Sequence, residues 1–157
     1  PLREPWPRPV TAALYAGQPP QPQGSSPVFA LQRSLADMAL NGHGQSIQLS
    51  ELAGQQAEAV AAVARPESFF SMLADKGLAP AATQALPDHY DFESFSRKLD
   101  KRFPLICTEK DAVKLWRNHP DAWAVPLQLQ LPQAFWDLLD AELAAASAHI
   151  HHQGDAA

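Results

Sequence analysis

Three short polar clusters each follow an apolar run: Arg65 beside Pro66, Asp88-His89 between Pro87 and Tyr90, and Thr108-Glu109-Lys110-Asp111 after Cys107. An imidazole next to a carboxylate suits proton transfer, because histidine titrates near neutrality and can hold or polarise a neighbouring carboxylate. The ordinary reading of the same pair is a polar turn after Pro87. Thr108 and Asp111 have capping-box spacing, in which the threonine accepts from orphan helix N–H groups and the acid reaches back. That cap leaves Glu109 and Lys110 as additional charges. Arg65 stands where a helix start could meet an anion, or is simply solvated. Cys107 ends an apolar strand and reads as an inert core thiol. His149, His151 and His152 lack ligand spacing within a folded frame, so no metal site is expected.

Some chemistry is missing from the string. None of the seven glycines is followed by lysine. The phosphate-cradling G-x-x-x-x-G-K-[ST] therefore does not occur, nor does G-x-G-x-x-G. No nucleotide-binding residue is expected in this chain. No serine or cysteine nucleophile elbow is visible either, which disfavours a hydrolase built on Asp88 and His89.

The polar clusters need a frame, and the apolar pattern supplies one. Ala57–Val63, Ala81–Leu86 and Phe103–Cys107 read as buried strands, and Trp123–Leu131 alternates as a half-buried strand. Pro126 within it points to a sheet edge. Helices are predicted from Pro66 to Gly77, from Asp91 to Leu99, from Glu109 to Arg117 and from Pro132 to Ser147, the last with Phe135, Leu138, Leu139 and Leu143 on one stripe. Four consecutive strand–helix units define an α/β fold, a mostly parallel sheet with flanking helices (an α/β/α sandwich). Ligands of such sheets bind at the carboxyl ends of the strands, and all three polar clusters fall there.

Before that frame the signals are weaker. Eight of the fifteen prolines (Pro1, Pro5, Pro7, Pro9, Pro19, Pro20, Pro22 and Pro27) lie in residues 1–27, which reads as a connector. Residues 28–147 form the α/β domain, with 28–50 as a hairpin linker: Asn41-Gly42-His43-Gly44 is turn chemistry between Met38–Leu40 and Ile47–Leu49. Residues 148–157 read as a disordered tail. The 157 residues suit one domain, with 46% hydrophobic and 18% charged residues. The net charge of −5 argues against a nucleic-acid partner. One cysteine permits no internal disulfide, and no apolar run approaches the ~20 residues of a membrane span. No secretion signal is visible, so a cytoplasmic location is expected.

Ala59-Val60-Ala61, Pro66-Glu67-Ser68-Phe69-Phe70, Leu86-Pro87-Asp88-His89-Tyr90 and Thr108-Glu109-Lys110-Asp111-Ala112-Val113-Lys114 occur in that order. Together they resemble the C-terminal half of the tetraacyldisaccharide 4'-kinase family, the lipid A 4'-kinases of Gram-negative bacteria. Pro1-Leu2-Arg3-Glu4-Pro5 resembles the segment that follows the family's N-terminal P-loop domain. The resemblance implies transfer of the ATP γ-phosphoryl group, with Mg²⁺, to the 4'-hydroxyl of a tetraacylated glucosamine disaccharide 1-phosphate, at the cytoplasmic face of the inner membrane. It implies that ATP and Mg²⁺ are held by an N-terminal half outside this chain, which should be inactive alone. It also implies peripheral membrane contact by the full-length protein. On this resemblance His89, with Asp88 beside it, is the candidate for the histidine that assists a catalytic aspartate in the other half. Arg65, Thr108, Glu109, Lys110 and Asp111, at the strand ends, are expected to line the substrate or cleft rim. Ala62, Ala64 and Ser68 stand where the family usually has Gly, Gly and Arg. The alternative expectation is a non-catalytic α/β binding module that keeps the fold without the chemistry.

Overall fold

The computed structural model describes residues 10–19 and 26–154, with side chains described through residue 147. In chain order the elements are β1 (Ala13–Tyr15), β2 (Val28–Ala30), β3 (Gln32–Leu35), β4 (Met38–Leu40), β5 (Ser46–Gln48), a 3₁₀ turn (Leu49–Leu52), β6 (Glu58–Ala61), α1 (Pro66–Asp75), β7 (Ala82–Ala85), β8 (Leu105–Thr108), α2 (Glu109–Leu115), β9 (Trp123–Val125), β10 (Leu127–Gln130) and α3 (Gln133–Gly154). The chain divides into two compact units: Ser34–Gln128, and Pro1–Arg33 taken with Leu129–Ala157.

The first of these units is built on a six-stranded sheet of order β5-β4-β9-β8-β6-β7. β9, β8, β6 and β7 run parallel, while β4 is antiparallel to both β9 and β5. In the register of the parallel strands Val60 faces Gln84 on one side and Cys107 on the other, and Cys107 faces Ala124. The period of two sorts the strand residues onto two cores. Ala59, Ala61, Ile106 and Val125 pack with Phe69 and Leu73 of α1. Val60, Ala62, Leu105, Cys107 and Ala124 pack with Ala112 and Leu115 of α2 and with Phe92. One helix therefore covers each face, and the α/β/α layering follows from the alternation.

Local chemistry sets the helix ends. Pro66 occupies the first turn of α1, where its missing N–H costs nothing. Gly77 stops the helix with φ 79°, and Leu78 N–H then donates to Leu73 O at 2.9 Å while its side chain is buried. Thr108 caps α2 by accepting from Asp111 N–H at 3.1 Å.

Four expectations are corrected. The helix predicted over Asp91–Leu99 does not form. Phe92 is left-handed (φ 65°) and buried against Tyr90 and Phe95, and the N–H groups of Lys98 and Leu99 are taken by the Glu58 carboxylate at 2.9 and 3.1 Å. Trp123–Leu131 is not one edge strand. Pro126 breaks it, β9 lies inside the sheet between β4 and β8, and the Pro126 carbonyl accepts from Ala36 N–H at 2.9 Å. The Met38–Gln48 hairpin is not a linker but the antiparallel side of the sheet, with Asn41 Oδ1 closing its turn on the N–H groups of His43 and Gln45. A strand, β1, also lies within the proline-rich connector, where residues 10–18 are free of proline.

In the other unit β1 and β2 pair in parallel, and Ser26 Oγ–H donates to Val10 O at 2.6 Å. Phe29 and Phe135 meet edge to face at 5.7 Å. α3 runs past Ser147 to Gly154, longer than its amphipathic stretch predicts, and Leu139 and Leu143 of the expected apolar stripe are exposed. Residues 1–9, 20–25 and 155–157 and the side chains of His149, His151 and His152 lie outside the described residues.

Candidate functional site

The three polar clusters follow the carboxyl ends of β6, β7 and β8, which are adjacent and parallel. Hydrogen bonds knit them together. Asp111, 4% exposed, accepts from Ala62 N–H at 2.9 Å and from the Thr108 hydroxyl at 2.7 Å through the same oxygen, Oδ2. The cap is therefore only half the reciprocal box expected. Asp111 does not return to the Thr108 backbone but crosses to the end of β6, where it satisfies a buried N–H that would otherwise cost about 1–3 kcal/mol.

The Ala62 carbonyl in turn accepts from His89 N–H at 3.3 Å. Tyr90 N–H donates to Pro87 O at 3.1 Å, closing a four-residue turn with His89 third. His89 takes φ 65° there, a place that glycine or asparagine ordinarily fills. A non-glycine residue in that conformation costs about 1–3 kcal/mol unless its surroundings hold it. Lys114 is one such hold, donating from Nζ to His89 O at 3.0 Å and to Tyr90 O at 3.2 Å.

The turn directs the imidazole outward, with 74% of the His89 side chain exposed. Asp88 lies between Lys110 and His89: Oδ1 accepts from Lys110 Nζ at 3.2 Å, and Oδ2 is 3.8 Å from His89 Nε2. The Lys110 hydrogen bond holds the Asp88 carboxyl below the usual carboxylate range, against a smaller opposing effect of desolvation. Asp88 is thus a carboxylate at neutral pH, close to the imidazole but beyond hydrogen-bond length.

Of the residues singled out from the sequence, Asp88, His89, Thr108, Lys110 and Asp111 are joined by this network. Arg65 sits at the N-cap position of α1 without capping it, and Glu109 lies exposed in the first turn of α2. Neither makes a side-chain hydrogen bond or ion pair among the described residues. Burial pushes the Cys107 thiol up, so it stays protonated within the core, as expected of an inert thiol. Ala62 and Ala64 do not take left-handed backbones, so alanine fits both positions without strain, and Ala62 is fully buried. Among the described residues, no three His, Cys, Asp or Glu side chains gather closely enough to hold a metal ion. No helix among them is long and apolar enough to cross a membrane.

Two residues outside the expected set hold the surrounding frame, Lys114 at the rim and Glu58 at the opposite end of the strands. Lys114 shares a helix face with Lys110 at i, i+4, a spacing visible in the sequence. Glu58 is an acid side chain inside an apolar strand, which demands partners. It finds the Lys98 and Leu99 amides, Gln84 Nε2, and Arg97 at 3.8 Å. Glu58 thereby ties the crossover from β7 to β8 against the sheet.

A mostly parallel sheet with helices on both faces defines an α/β protein. Comparison with known proteins gives the family. Residues 1–144 match the family model described as tetraacyldisaccharide-1-P 4'-kinase, and the chain belongs to that family. It is 62% identical over 146 residues to the tetraacyldisaccharide 4'-kinase of Delftia acidovorans, covering 92% of this chain and 43% of that protein. Identity to the Acidovorax sp. protein of the same name is 58% over 151 residues, covering 96% and 44%. The chain thus spans less than half the length of these curated relatives. The fold is shared with the crystal structure of LpxK from Aquifex aeolicus, described as an apo form in complex with ATP. The TM-score is 0.58 at 20% identity, over 79% of this chain and 39% of the other.

Proposed function

We infer that the chain is the C-terminal part of a kinase that transfers the ATP γ-phosphoryl group to the 4'-hydroxyl of a tetraacyldisaccharide 1-phosphate, the lipid A precursor. The observation that carries this reading is the family match over residues 1–144, combined with coverage of only 43–44% of the relatives' length. In this reading ATP and Mg²⁺ are held by the rest of a longer protein, since this sequence contains neither phosphate-cradling glycine motif. Bound there, ATP supplies the phosphoryl group and Mg²⁺ neutralises charge on its oxygens. Such a protein works where its acylated substrate lies, at the cytoplasmic face of the inner membrane.

The part played by this chain is orientation. Phosphoryl transfer asks a protein mainly for positioning and charge stabilisation. His89 is outward-facing on a held turn, and its Nε2 has no hydrogen bond to Asp88. It is therefore available to polarise a carboxylate on the facing domain or to take the proton of the sugar hydroxyl. Asp88, held as a carboxylate by Lys110, stands 3.8 Å from that ring on the same turn.

The test is a chimera that joins the remaining segment of the Delftia relative ahead of Pro1, assayed for ATP-dependent phosphorylation of the tetraacyldisaccharide 1-phosphate. The chimera turns over and the 157-residue chain alone does not. His89→Ala lowers kcat at least ~10-fold, a partial share of general-base assistance, with its thermal melt unchanged. Turnover by the chain alone overturns the assignment of ATP to the other segment. Normal turnover of the His89→Ala chimera removes His89 from the reaction. A folded chimera that binds the disaccharide without phosphorylating it favours a non-catalytic binding module.

A further inference from the structure

The backbone around His89 is gripped from two sides by one face of α2. Asp111 Oδ2 fixes the Ala62 N–H, and the Ala62 carbonyl receives the His89 N–H. Three residues further along the helix, the Lys114 ammonium bridges the carbonyls of His89 and Tyr90 at 3.0 and 3.2 Å. Asp111 and Lys114 stand at i, i+3 and so project from the same side of the helix. The Thr108 hydroxyl, by donating to Asp111 Oδ2 at 2.7 Å, orients the first of the two grips.

We propose that Lys114 is the positioning residue of His89: its ammonium holds the left-handed turn that aims the imidazole out of the rim. The proposal rests on the reading of His89 as a participant in phosphoryl transfer. In an ordinary type II turn the third residue is glycine, which needs no hold because it adopts positive φ freely. Here the third residue is histidine at φ 65°. A cation placed over two successive carbonyls stabilises the conformation in which both point the same way. Lys114 is half-buried, with its amine spent on these two carbonyls rather than on any acidic side chain among the described residues. That pattern is unlike the Lys110–Asp88 pair one turn earlier, which joins two side chains at an exposed site. The helix thus assigns separate tasks to its two lysines. Lys110 sets the charge next to the imidazole, and Lys114 sets the backbone that carries it.

A double-mutant cycle in the 157-residue chain isolates this role. Lys114→Met keeps the aliphatic stem and deletes the charge, and it lowers the folding equilibrium constant ~5-fold in the parent background. In a His89→Gly background, where the left-handed turn needs no hold, the same substitution changes it less than ~2-fold. Lys114→Arg, which can still bridge two carbonyls, restores most of the loss. By proton NMR the strong intraresidue HN–Hα cross-peak of a left-handed residue 89 is kept in the parent and in Lys114→Arg, and weakens in Lys114→Met. Equal effects of Lys114→Met in both backgrounds overturn the proposal, as does a left-handed signature that survives it. Failure of Lys114→Met to fold in either background also overturns it, since a hold on one turn does not carry the fold. In the chimera Lys114→Met lowers kcat ~10-fold with KM unchanged. A displaced turn with normal kcat would instead tell against the participation of His89 while leaving the grip of Lys114 intact.

Discussion

Thr108 joins two roles that the sequence suggests only in part. Its spacing from Asp111 is legible as a cap, and the cap is there. The bond from Asp111 to Ala62 spans 49 positions and no local pattern announces it. Thr108→Ala should therefore lower stability by about 0.5–2 kcal/mol in urea melts, towards the upper end because the Asp111 carboxylate loses its orienting hydroxyl as well. His119 gives a pH-dependent counterpart. Desolvation lowers its pKa from the usual 6.5, with Arg97 and Lys101 acting in the same sense and Asp121 and Glu58 opposing. Its ring also packs edge-on against Phe95 at 5.4 Å. Because the unfolded chain takes up this proton more readily, the contribution of His119 to stability is complete above 6.5 and is lost as pH falls below it. The urea midpoint should decline from pH 7 to about 5.5, and His119→Asn should flatten that decline.

Among the elements, those whose signals are local were legible: β6, α1, β8 and α2 follow from apolar runs, from Pro66 and Gly77, and from the Thr108 cap. The Asp91–Leu99 segment was not. Its helical spacing of Phe92, Phe95 and Leu99 is overridden by Glu58, distant in sequence, which captures the amides of Lys98 and Leu99. The trace available beforehand was a single acid within the Ala57–Val63 run. Trp123–Leu131 misled for a related reason: its alternation is regular, yet Pro126 divides it between β9 and β10, two strands of different surroundings. Gly77 offers a test at this scale. A Cβ there meets nothing within 4 Å, so Gly77→Ala isolates the cost of positive φ at the end of α1. A loss of about 1 kcal/mol in thermal or urea unfolding is expected, with no change in the m-value.

Among the described residues, burial is concentrated in the Ser34–Gln128 unit. The four residues of β6 are fully buried, whereas no side chain of α3 through residue 147 is. Native-state hydrogen exchange should find its slowest amides in β6 and β8 and its fastest helical amides in α3. Uniform protection across both would contradict that gradient. The rim was legible as a convergence of polar clusters at strand ends; the contribution of Lys114 was not, because it acts through backbone carbonyls. The strand order has a further consequence, in time rather than in space. β6, β7, β8 and their helices are nearly contiguous along the chain and can pair as they leave the ribosome. β4 has been made long before, yet its sheet neighbour is β9, with Leu40 opposite Ala124. At about 5–20 residues per second β9 is made several seconds after β4, so the β4 edge has no sheet partner during that interval. The short strands of its hairpin and the polar turn at Asn41–Gly44 limit what that waiting edge can recruit.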